Sequence, residues 1–259
     1  MMRIDVGLAP GTVAEKEDHG KQFVVIDVLR ATSAIITALA NGCAGVIPVT
    51  EVEEAFAAAA SYKGEHEVLL AGERHGLRVD GFHMGNSPLE FIPEKVKGRM
   101  IILCTTNGTR VLRSVPETNP VYIGAFLNGP ALVERLLRER RDAVLCCAGR
   151  KGDFSYEDAL CGGYIIDEII RRNPGIELSD AGKAARVLYR QAEKNLRETI
   201  LKTEHAFYLL KLGFGADIDF CLQIGKFSFV PVYQEGIIKN VDSTLLEKRT
   251  LNKGNAVKK

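Results

Sequence analysis

The sequence has no excess of charge of either sign, no long apolar segment and no paired-cysteine motif. Its 259 residues contain 34 Lys and Arg against 33 Asp and Glu, for a net charge of +1, so a nucleic-acid-binding surface is not expected. No apolar run approaches the ~20 residues that cross a bilayer, and the N-terminus lacks the charged-then-apolar layout of a signal peptide. We therefore expect a cytoplasmic protein with no membrane contact and a small-molecule partner.

Cysteine and histidine show no spacing typical of a disulfide framework or a zinc site. The six cysteines form no C-x-x-C pair, and several lie inside apolar runs, as reduced core thiols do. The five histidines include no H-E-x-x-H pair. Magnesium fits this composition better, because one or two carboxylates, waters and phosphate oxygens satisfy it.

The composition fits one large domain. Hydrophobic residues make up 46% of the chain, enough for a substantial core. We expect a single α/β domain over residues 1–247 and a basic, frayed tail over 248–259. Inside the domain, 180–212 carries one long helical pattern or two joined, and 227–233 is predicted as the last strand. Symmetric dimers are common among soluble proteins, so a homodimer is expected.

Strands and helices alternate along the chain in the order strand, polar elbow, helix. This order recurs at 25–33, 101–110 and 144–158. Such alternation predicts a three-layer α/β/α fold with a largely parallel or mixed sheet. The three elbows are then expected to converge on one edge of the sheet, where ligands bind in open α/β folds.

The first elbow follows the short strand FVVI and carries a carboxylate and an arginine. Asp27 stands where the strand ends, Arg30 lies in the turn, and Thr32 or Ser33 is expected to cap the next helix. Because a helix N-terminus at this edge favours an anion, the pair indicates a metal and a phosphate. A structural ion pair between Asp27 and Arg30 is the alternative interpretation.

The second elbow reads TTNGT, at 105–109. Small hydroxyl and amide residues around a glycine suit a backbone nest that binds phosphate oxygens. An Asn-Gly turn with a threonine cap explains the same residues without a ligand. The candidate phosphate-binding residues are Thr106, Asn107, Gly108 and Thr109.

The third elbow, RKGDFSYED, combines cations with carboxylates. Arg150 and the following lysine are placed to neutralise a phosphate, and Asp153, Glu157 or Asp158 to hold a cation. Ser155 and Asp158 also have the spacing of a capping box, which is a purely structural role.

An irregular segment, GERHGLRVDGFHMGNSPLEF, is too long for a simple connection. Long loops inside compact domains are functional more often than idle. Glu73 and Arg74 follow a strand directly, and Asn86 and Ser87 precede a proline. These four residues are candidate site residues, although the second pair also fits a tight turn.

Two other phosphatase chemistries match the sequence less well. Cys104 and Arg110 have the spacing of cysteine phosphatases, but Leu103 replaces the usual histidine and the cysteine belongs to an apolar strand. The Asp-x-Asp motif of haloacid-dehalogenase-like phosphatases would need a second aspartate where Leu29 stands. A buried thiol is the expected interpretation of Cys104.

Five blocks in order, VVIDVLRATSAIITALANG, AGERHG, GFHMGNSPLEF, TTNGTR and CAGRKGDFSYEDALCGG, together resemble the ComB family. Its members are magnesium-dependent 2-phosphosulfolactate phosphatases of coenzyme M biosynthesis. The resemblance runs from about residue 4 to 235 and is thinnest over 165–225. It implies hydrolysis of a phosphate monoester to sulfolactate and phosphate. Two positions depart from the family pattern. His83 stands where the family has Asp, and Cys104 stands where it has Thr.

The implied substrate carries three anionic groups, so several cations must converge on it. Arg30, Arg74 and Arg150 each stand beside a carboxylate in a separate elbow or loop. Their guanidinium groups are expected to bind phosphate, carboxylate and sulfonate oxygens. Other possibilities are a phosphatase for a different phosphorylated 2-hydroxy acid and a non-catalytic module that binds anionic metabolites.

Mg²⁺ is expected to be held by Asp27 with Glu73 or Asp153, and Asp158 is a further candidate ligand. Either water or a carboxylate attacks phosphorus in this scheme. The predicted catalytic residues are Asp27, Arg30, Glu73 and Asp153. The predicted substrate-binding residues are Arg30, Ser33, Arg74, Asn86, Ser87, Thr106, Asn107, Gly108, Thr109 and Arg150.

Overall fold

The computed structural model describes residues 2–12, 20–115 and 119–240. The tail predicted at 248–259 and the domain end predicted at residue 247 lie outside these residues, so both stay predictions.

The strands form one mixed, largely parallel sheet. They are β1 (Arg3–Gly7), β2 (Gln22–Ile26), β3 (Gly45–Val49), β4 (Val68–Arg74), β5 (Leu77–Arg78), β6 (Met100–Cys104), β7 (Val121–Gly124), β8 (Ala143–Cys147), β9 (Glu177–Leu178), β10 (Val232–Gln234) and β11 (Ile237–Lys239). Their order in the sheet is β5-β4-β6-β3-β11-β10-β7-β2-β8-β1-β9.

Helices cover both faces of this sheet. They are α1 (Ala31–Ala40), α2 (Val52–Ser61), α3 (Pro93–Val96), α4 (Gly108–Ser114), α5 (Gly129–Glu139), α6 (Tyr156–Arg172), α7 (Asp180–Ala192), α8 (Leu196–Leu201), α9 (Glu204–Lys211) and α10 (Gly215–Cys221). Within the described ranges, none of them is long and apolar enough to cross a bilayer.

Alternating side chains of the strands build the core on each face. Val24 and Ile26 of β2 pack in a cluster with α5, α6 and α7. Phe23 and Val25 face the other way, into a cluster with α1 and α4. The predicted three-layer α/β/α fold is therefore confirmed, and each of the three predicted elbows does join a strand to a helix.

The segments that follow β6 and β2 meet although these strands are far apart in the sheet. The positions of β6 and β2 are five strands apart in the sheet order, a distance of about 24 Å in a flat sheet at the usual strand spacing. A Cβ atom at Gly108, in the segment after β6, would nevertheless lie only 2.8 Å from the carboxylate of Asp27, just after β2. The segments after separate strands therefore reach one place.

The structure differs in detail from two sequence-based predictions of secondary structure. The segment predicted as helical at 180–212 is helical, but in three segments, α7, α8 and α9, rather than one or two, and the side chain of Thr203 caps α9 by accepting the backbone N–H of Ala206. In the strand predicted at 227–233, only its last two residues are in β10. A hairpin follows through Glu235 and Gly236, whose positive φ angles of 53° and 78° fit a two-residue primed turn.

Candidate active site

A cavity of about 140 Å³ lies where the carboxyl ends of β2, β4, β6 and β8 meet α9. Open α/β sheets bind ligands at such strand ends. Carboxylates and cations both line the cavity, beside several neutral side chains. The lining residues are Asp27, Leu29, Arg30, Glu73, His75, Gly76, Asn86, Thr105, Thr106, Asn107, Arg150, Lys151, His205, Tyr208 and Leu209.

The elbow between β2 and α1 places Asp27 in this cavity. Its Oδ1 atom accepts the backbone N–H of Ala31 at 3.2 Å, so the carboxylate itself caps α1. The predicted caps were wrong, because Thr32 donates to the Asp27 carbonyl and Ser33 to the Val28 carbonyl. Ser33 does not line the cavity in the described part of the chain.

Burial dominates the electrostatics of Asp27, whose side chain has little access to water. It raises the pKa of the carboxyl from 3.8 to about 6, against the lowering effects of the Ala31 N–H and of His205. The carboxylates of Glu73 and Glu157 raise this pKa further. An aspartate with a pKa near neutrality in a cavity is a candidate for proton transfer, metal binding or nucleophilic attack.

Arg30 pairs with a partner that the sequence did not suggest. Its Nη1 atom lies 2.6 Å from Oδ2 of Asp217 on α10, and both side chains are almost fully buried. Nη2 donates to the Gly76 carbonyl at 2.7 Å, and the guanidinium stacks 4.0 Å from the Phe214 ring. The ion pair proposed between Arg30 and Asp27 was therefore wrong, although both residues line the cavity.

Asn86 and Ser87 have different surroundings: Asn86 lines the cavity, whereas Ser87 contacts the Asp217 carboxylate that pairs with Arg30. The Ser87 hydroxyl donates to Oδ1 of Asp217 at 2.7 Å and does not line the cavity within the described residues. Asn86 lines the cavity and is 5% exposed, and its Oδ1 atom has no hydrogen-bond partner among the described residues. Buried amide oxygens are normally hydrogen-bonded, so Asn86 is placed to receive a donor from a ligand or water.

Glu73 organises the second elbow. Its Oε1 atom accepts both the N–H and the hydroxyl of Thr106, and Oε2 accepts the N–H of Gly76. The Thr106 N–H is therefore already used, which weakens the predicted phosphate nest at this residue. Asn107 lines the cavity and accepts the Lys151 N–H. Thr109 is fully buried and donates to the Thr105 carbonyl, away from the cavity.

Gly108 begins α4 in direct contact with the first elbow. Any side chain at this position would collide with the Asp27 carboxylate and with the Ala31 methyl group, each 2.8 Å from a hypothetical Cβ. Its role is thus close packing, which brings the second elbow against Asp27.

The third elbow contributes two cations to the cavity, Arg150 and Lys151. Arg150 lies 3.4 Å from Glu204, whose side chain is 95% exposed, and 5.5 Å from the Tyr208 ring. Asp153 is exposed and lies outside the cavity as described, and its backbone pairs with that of Arg150 in a tight bridge. Its position does not fit the predicted catalytic role.

Asp158 is buried between the first and third elbows. Its Oδ1 atom accepts the Val28 N–H at 2.8 Å and Oδ2 accepts the Gly149 N–H at 3.1 Å. Ser155 accepts the Asp158 N–H, so half of the capping box forms. Burial, and then the nearby Asp27 and Glu157 charges, raise the pKa of Asp158 well above its usual range.

The four predicted metal ligands do not form one donor set. Across the described ranges, no group of three or more His, Cys, Asp or Glu residues could hold a metal ion. Asp158 and Glu73 accept protein hydrogen bonds on both carboxylate oxygens, and Asp153 is exposed. Asp27 lines the cavity and has one carboxylate oxygen without a protein hydrogen bond among the described residues, which suits the single carboxylate that Mg²⁺ often uses beside phosphate oxygens and waters.

Three other residues singled out from the sequence lie away from the cavity in the described chain. Arg74 donates to the Thr50 carbonyl and lies 3.8 Å from Glu51. His83 is exposed, and its Nδ1 atom accepts the Leu70 N–H at 2.9 Å, a structural role that a carboxylate also fits. Cys104 is fully buried, and burial raises the pKa of its thiol, which disfavours a thiolate nucleophile.

Sequence reasoning missed the contribution of α9 and α10. His205 and Tyr208 line the cavity from α9, and Asp217 on α10 holds Arg30. The Nδ1 atom of His205 lies 2.7 Å from Oε1 of Glu157 on α6. These helices fall in the region of thinnest family resemblance, and a lone histidine on a helix carries no spacing signal.

The fold and the cavity define an α/β protein with a cavity of mixed charge at the carboxyl ends of its strands. A family model described as 2-phosphosulpholactate phosphatase matches residues 9–236. The chain belongs to this family of phosphatases.

Several relatives align over nearly their whole length. A Clostridium tetani protein named probable 2-phosphosulfolactate phosphatase is 40% identical over 238 residues, 92% of this chain and 100% of the relative. Proteins of the same name from Caldanaerobacter subterraneus and Symbiobacterium thermophilum are each 42% identical, over 88% and 85% of this chain and 94% of each relative.

Proposed function

We propose that the protein hydrolyses the phosphate monoester of 2-phosphosulfolactate to 3-sulfolactate and phosphate, the reaction type of coenzyme M biosynthesis. Family membership and near full-length similarity to proteins of that name support the substrate. The observation that carries the proposal is a buried carboxylate, Asp27, in the same cavity as Arg30, Arg150 and Lys151.

The charge in the cavity suits a substrate with phosphate, carboxylate and sulfonate groups. Arg30 is already neutralised by Asp217, so it offers directed N–H groups more than net charge. Among the described residues, Arg150 forms its ion pair with Glu204, which is highly exposed, and such pairs are weak. Arg150 and Lys151 therefore supply most of the positive charge that draws a multiply charged anion into the cavity.

Asp27 separates a phosphatase from a simple anion sensor. A pure anion-binding pocket gains nothing from a buried carboxylate, because that carboxylate repels the ligand. We propose that Asp27 provides the protein ligand for Mg²⁺, which would offset the charge that develops on the transferred phosphoryl group. Asn86 and Asn107 also line the cavity, and in this proposal their side-chain amide N–H groups orient substrate oxygens.

The test is phosphate release from racemic 2-phosphosulfolactate, measured in Mg²⁺ and again in excess EDTA. We expect release that requires Mg²⁺ and is lost in Asp27→Asn. Asp219→Asn is the matched control, because Asp219 is half exposed and paired with an exposed arginine. Tight binding of the substrate without release would overturn the phosphatase proposal in favour of a metabolite sensor.

A panel of other phosphorylated 2-hydroxy acids tests the substrate separately from the chemistry. A higher kcat/KM for 2-phosphosulfolactate than for 2-phospholactate or 3-phosphoglycerate would support recognition of the sulfonate. A preference for a substrate without a sulfonate would leave the phosphatase chemistry in place and replace the substrate.

A further inference from the structure

A histidine and a buried carboxylate form a pair at the wall of the cavity. Nδ1 of His205 lies 2.7 Å from Oε1 of Glu157, and their side chains are 18% and 2% exposed. His205 lines the cavity, whereas Glu157 lies behind it and is not a lining residue in the described chain. The pair therefore connects the cavity wall to a buried side chain in the first turn of α6.

This contact determines which edge of the imidazole faces the cavity. Since Nδ1 is bound to a carboxylate in the interior, the opposite edge of the ring, with Nε2, is the edge left towards the cavity. A carboxylate acceptor keeps a proton on Nδ1 and fixes the ring orientation. Nε2 is then free to hold and release a proton, in an arrangement that recurs in hydrolytic sites.

Several carboxylates lie near this histidine. Asp27 and Glu73 line the same cavity as His205, and Glu157 contacts its Nδ1 atom.

The reaction itself needs a proton donor at one defined atom. Hydrolysis of a 2-phospho acid breaks the bond between phosphorus and the oxygen of a secondary alcohol, and an alkoxide is a poor leaving group. A positioned general acid typically contributes about 10²–10⁴-fold to such a step.

We propose that His205, oriented by Glu157, donates a proton from Nε2 to the ester oxygen as the P–O bond breaks. Water adds hydroxide to phosphorus, and the electron pair of the broken bond passes to the ester oxygen, which takes the histidine proton. The second proton of the water restores His205 through solvent, so the products are the free alcohol and hydrogen phosphate. His205 is then a catalytic residue and Glu157 a positioning residue, an inference that rests on the proposed function.

The test uses a variant that keeps the structural contact and removes the donor. In His205→Asn the side-chain amide lies near the position of Nδ1 and still reaches Glu157, but Nε2 is absent. We expect kcat on 2-phosphosulfolactate to fall about 10²–10⁴-fold with little change in KM. His66→Asn, at an exposed position before β4, is the matched control, and thermal unfolding verifies that each variant is folded.

A leaving-group comparison separates proton donation from a structural role. Because fluorine stabilises the departing alkoxide, the loss in His205→Asn is expected to be smaller for 2-phospho-3,3,3-trifluorolactate than for 2-phospholactate. Glu157→Gln, which retains a hydrogen-bond acceptor, is expected to lose kcat in the same direction but less severely.

The result that would overturn the inference differs from the result that would overturn the proposed function. An active wild-type enzyme with a His205→Asn kcat within threefold of it would overturn the inference alone. The same would follow from an equal loss on both lactate substrates. A wild-type protein that releases no phosphate from any 2-phospho acid would overturn the proposed function as well.

Discussion

Asp27 and Asp158 lie in elbows that follow neighbouring strands, and both are buried with a raised pKa. They differ in what their carboxylate oxygens contact. Both oxygens of Asp158 accept backbone N–H groups, from Val28 and Gly149. Only Oδ1 of Asp27 accepts a hydrogen bond among the described residues, and its side chain lines the cavity.

This comparison explains why one aspartate is available for a ligand and the other is structural. A carboxylate that accepts a backbone N–H on each oxygen has less acceptor capacity left for a ligand, and Asp158 is not among the lining residues of the cavity in the described chain. Asp217 is a third case, since both of its oxygens are held by side chains, those of Arg30 and Ser87. The number of occupied oxygens, more than burial or pKa, separates these aspartates.

The largest expected effect comes from Asp27→Asn, which leaves the shape and the Ala31 contact nearly unchanged. We expect phosphate release to fall at least about 10³-fold, because the carboxylate is needed as metal ligand or nucleophile. Initial rates with saturating Mg²⁺ measure the loss. Activity within tenfold of wild type would show that the unoccupied oxygen of Asp27 has no chemical role.

Asp158→Ala tests the structural side of the comparison. It leaves two buried N–H groups without acceptors, at about 2 kcal/mol each, so the free energy of unfolding is expected to fall by about 4 kcal/mol at pH 4, where the raised pKa of Asp158 leaves no charge penalty to relieve. Urea unfolding measures this, with Ser155→Ala as the control, which removes one helix cap at about 1 kcal/mol. A loss no larger than that of the control would remove the distinction between the two aspartates.

Local order was predictable from the sequence because it depends on neighbouring residues. The strand, elbow and helix pattern located β2–α1, β6–α4 and β8–α6. The contact between Gly108 and Asp27 and the insertion of β10 and β11 between β3 and β7 depend on residues far apart in the sequence and left no local pattern.

The site was predictable where an elbow or the long loop places it. Asp27, Arg30 and Arg150 from the elbows line one cavity with Glu73 and Asn86 from the loop. Glu73 and Arg74 are successive residues of β4, so their side chains leave opposite faces and only one reaches the cavity. His205 and Asp217 come from ordinary amphipathic helices, and their importance appears only when the chain is folded.

The stability of the protein should also depend on pH through Asp27. Folding raises its pKa from 3.8 to about 6, so the fold favours the protonated form and stability is lost as pH rises through this window. The full penalty, about 3 kcal/mol at most, applies above pH 6. Asp27→Asn, which is never charged, should unfold at higher urea than wild type at pH 8 and at similar urea at pH 4.

These unfolding measurements are made in EDTA, because a cation bound at Asp27 would mask the penalty. A difference between the two proteins that is the same at pH 4 and pH 8 would contradict a raised pKa. The effect of the Asp27 side chain on the free energy of unfolding would then be unrelated to its ionisation.

Ser87→Ala should have the smallest effect and tests the third aspartate. It removes the hydroxyl donor from Oδ1 of Asp217 but keeps the contact between Oδ2 and Arg30. A hydrogen bond to a buried charge contributes about 2 kcal/mol, so urea unfolding should shift by that amount. Ser61→Ala, an exposed hydroxyl bonded to its own helix, is the control. Unchanged stability would mean that one occupied oxygen suffices to hold a buried aspartate, and the contrast between Asp27 and Asp158 would then rest on access to the cavity alone.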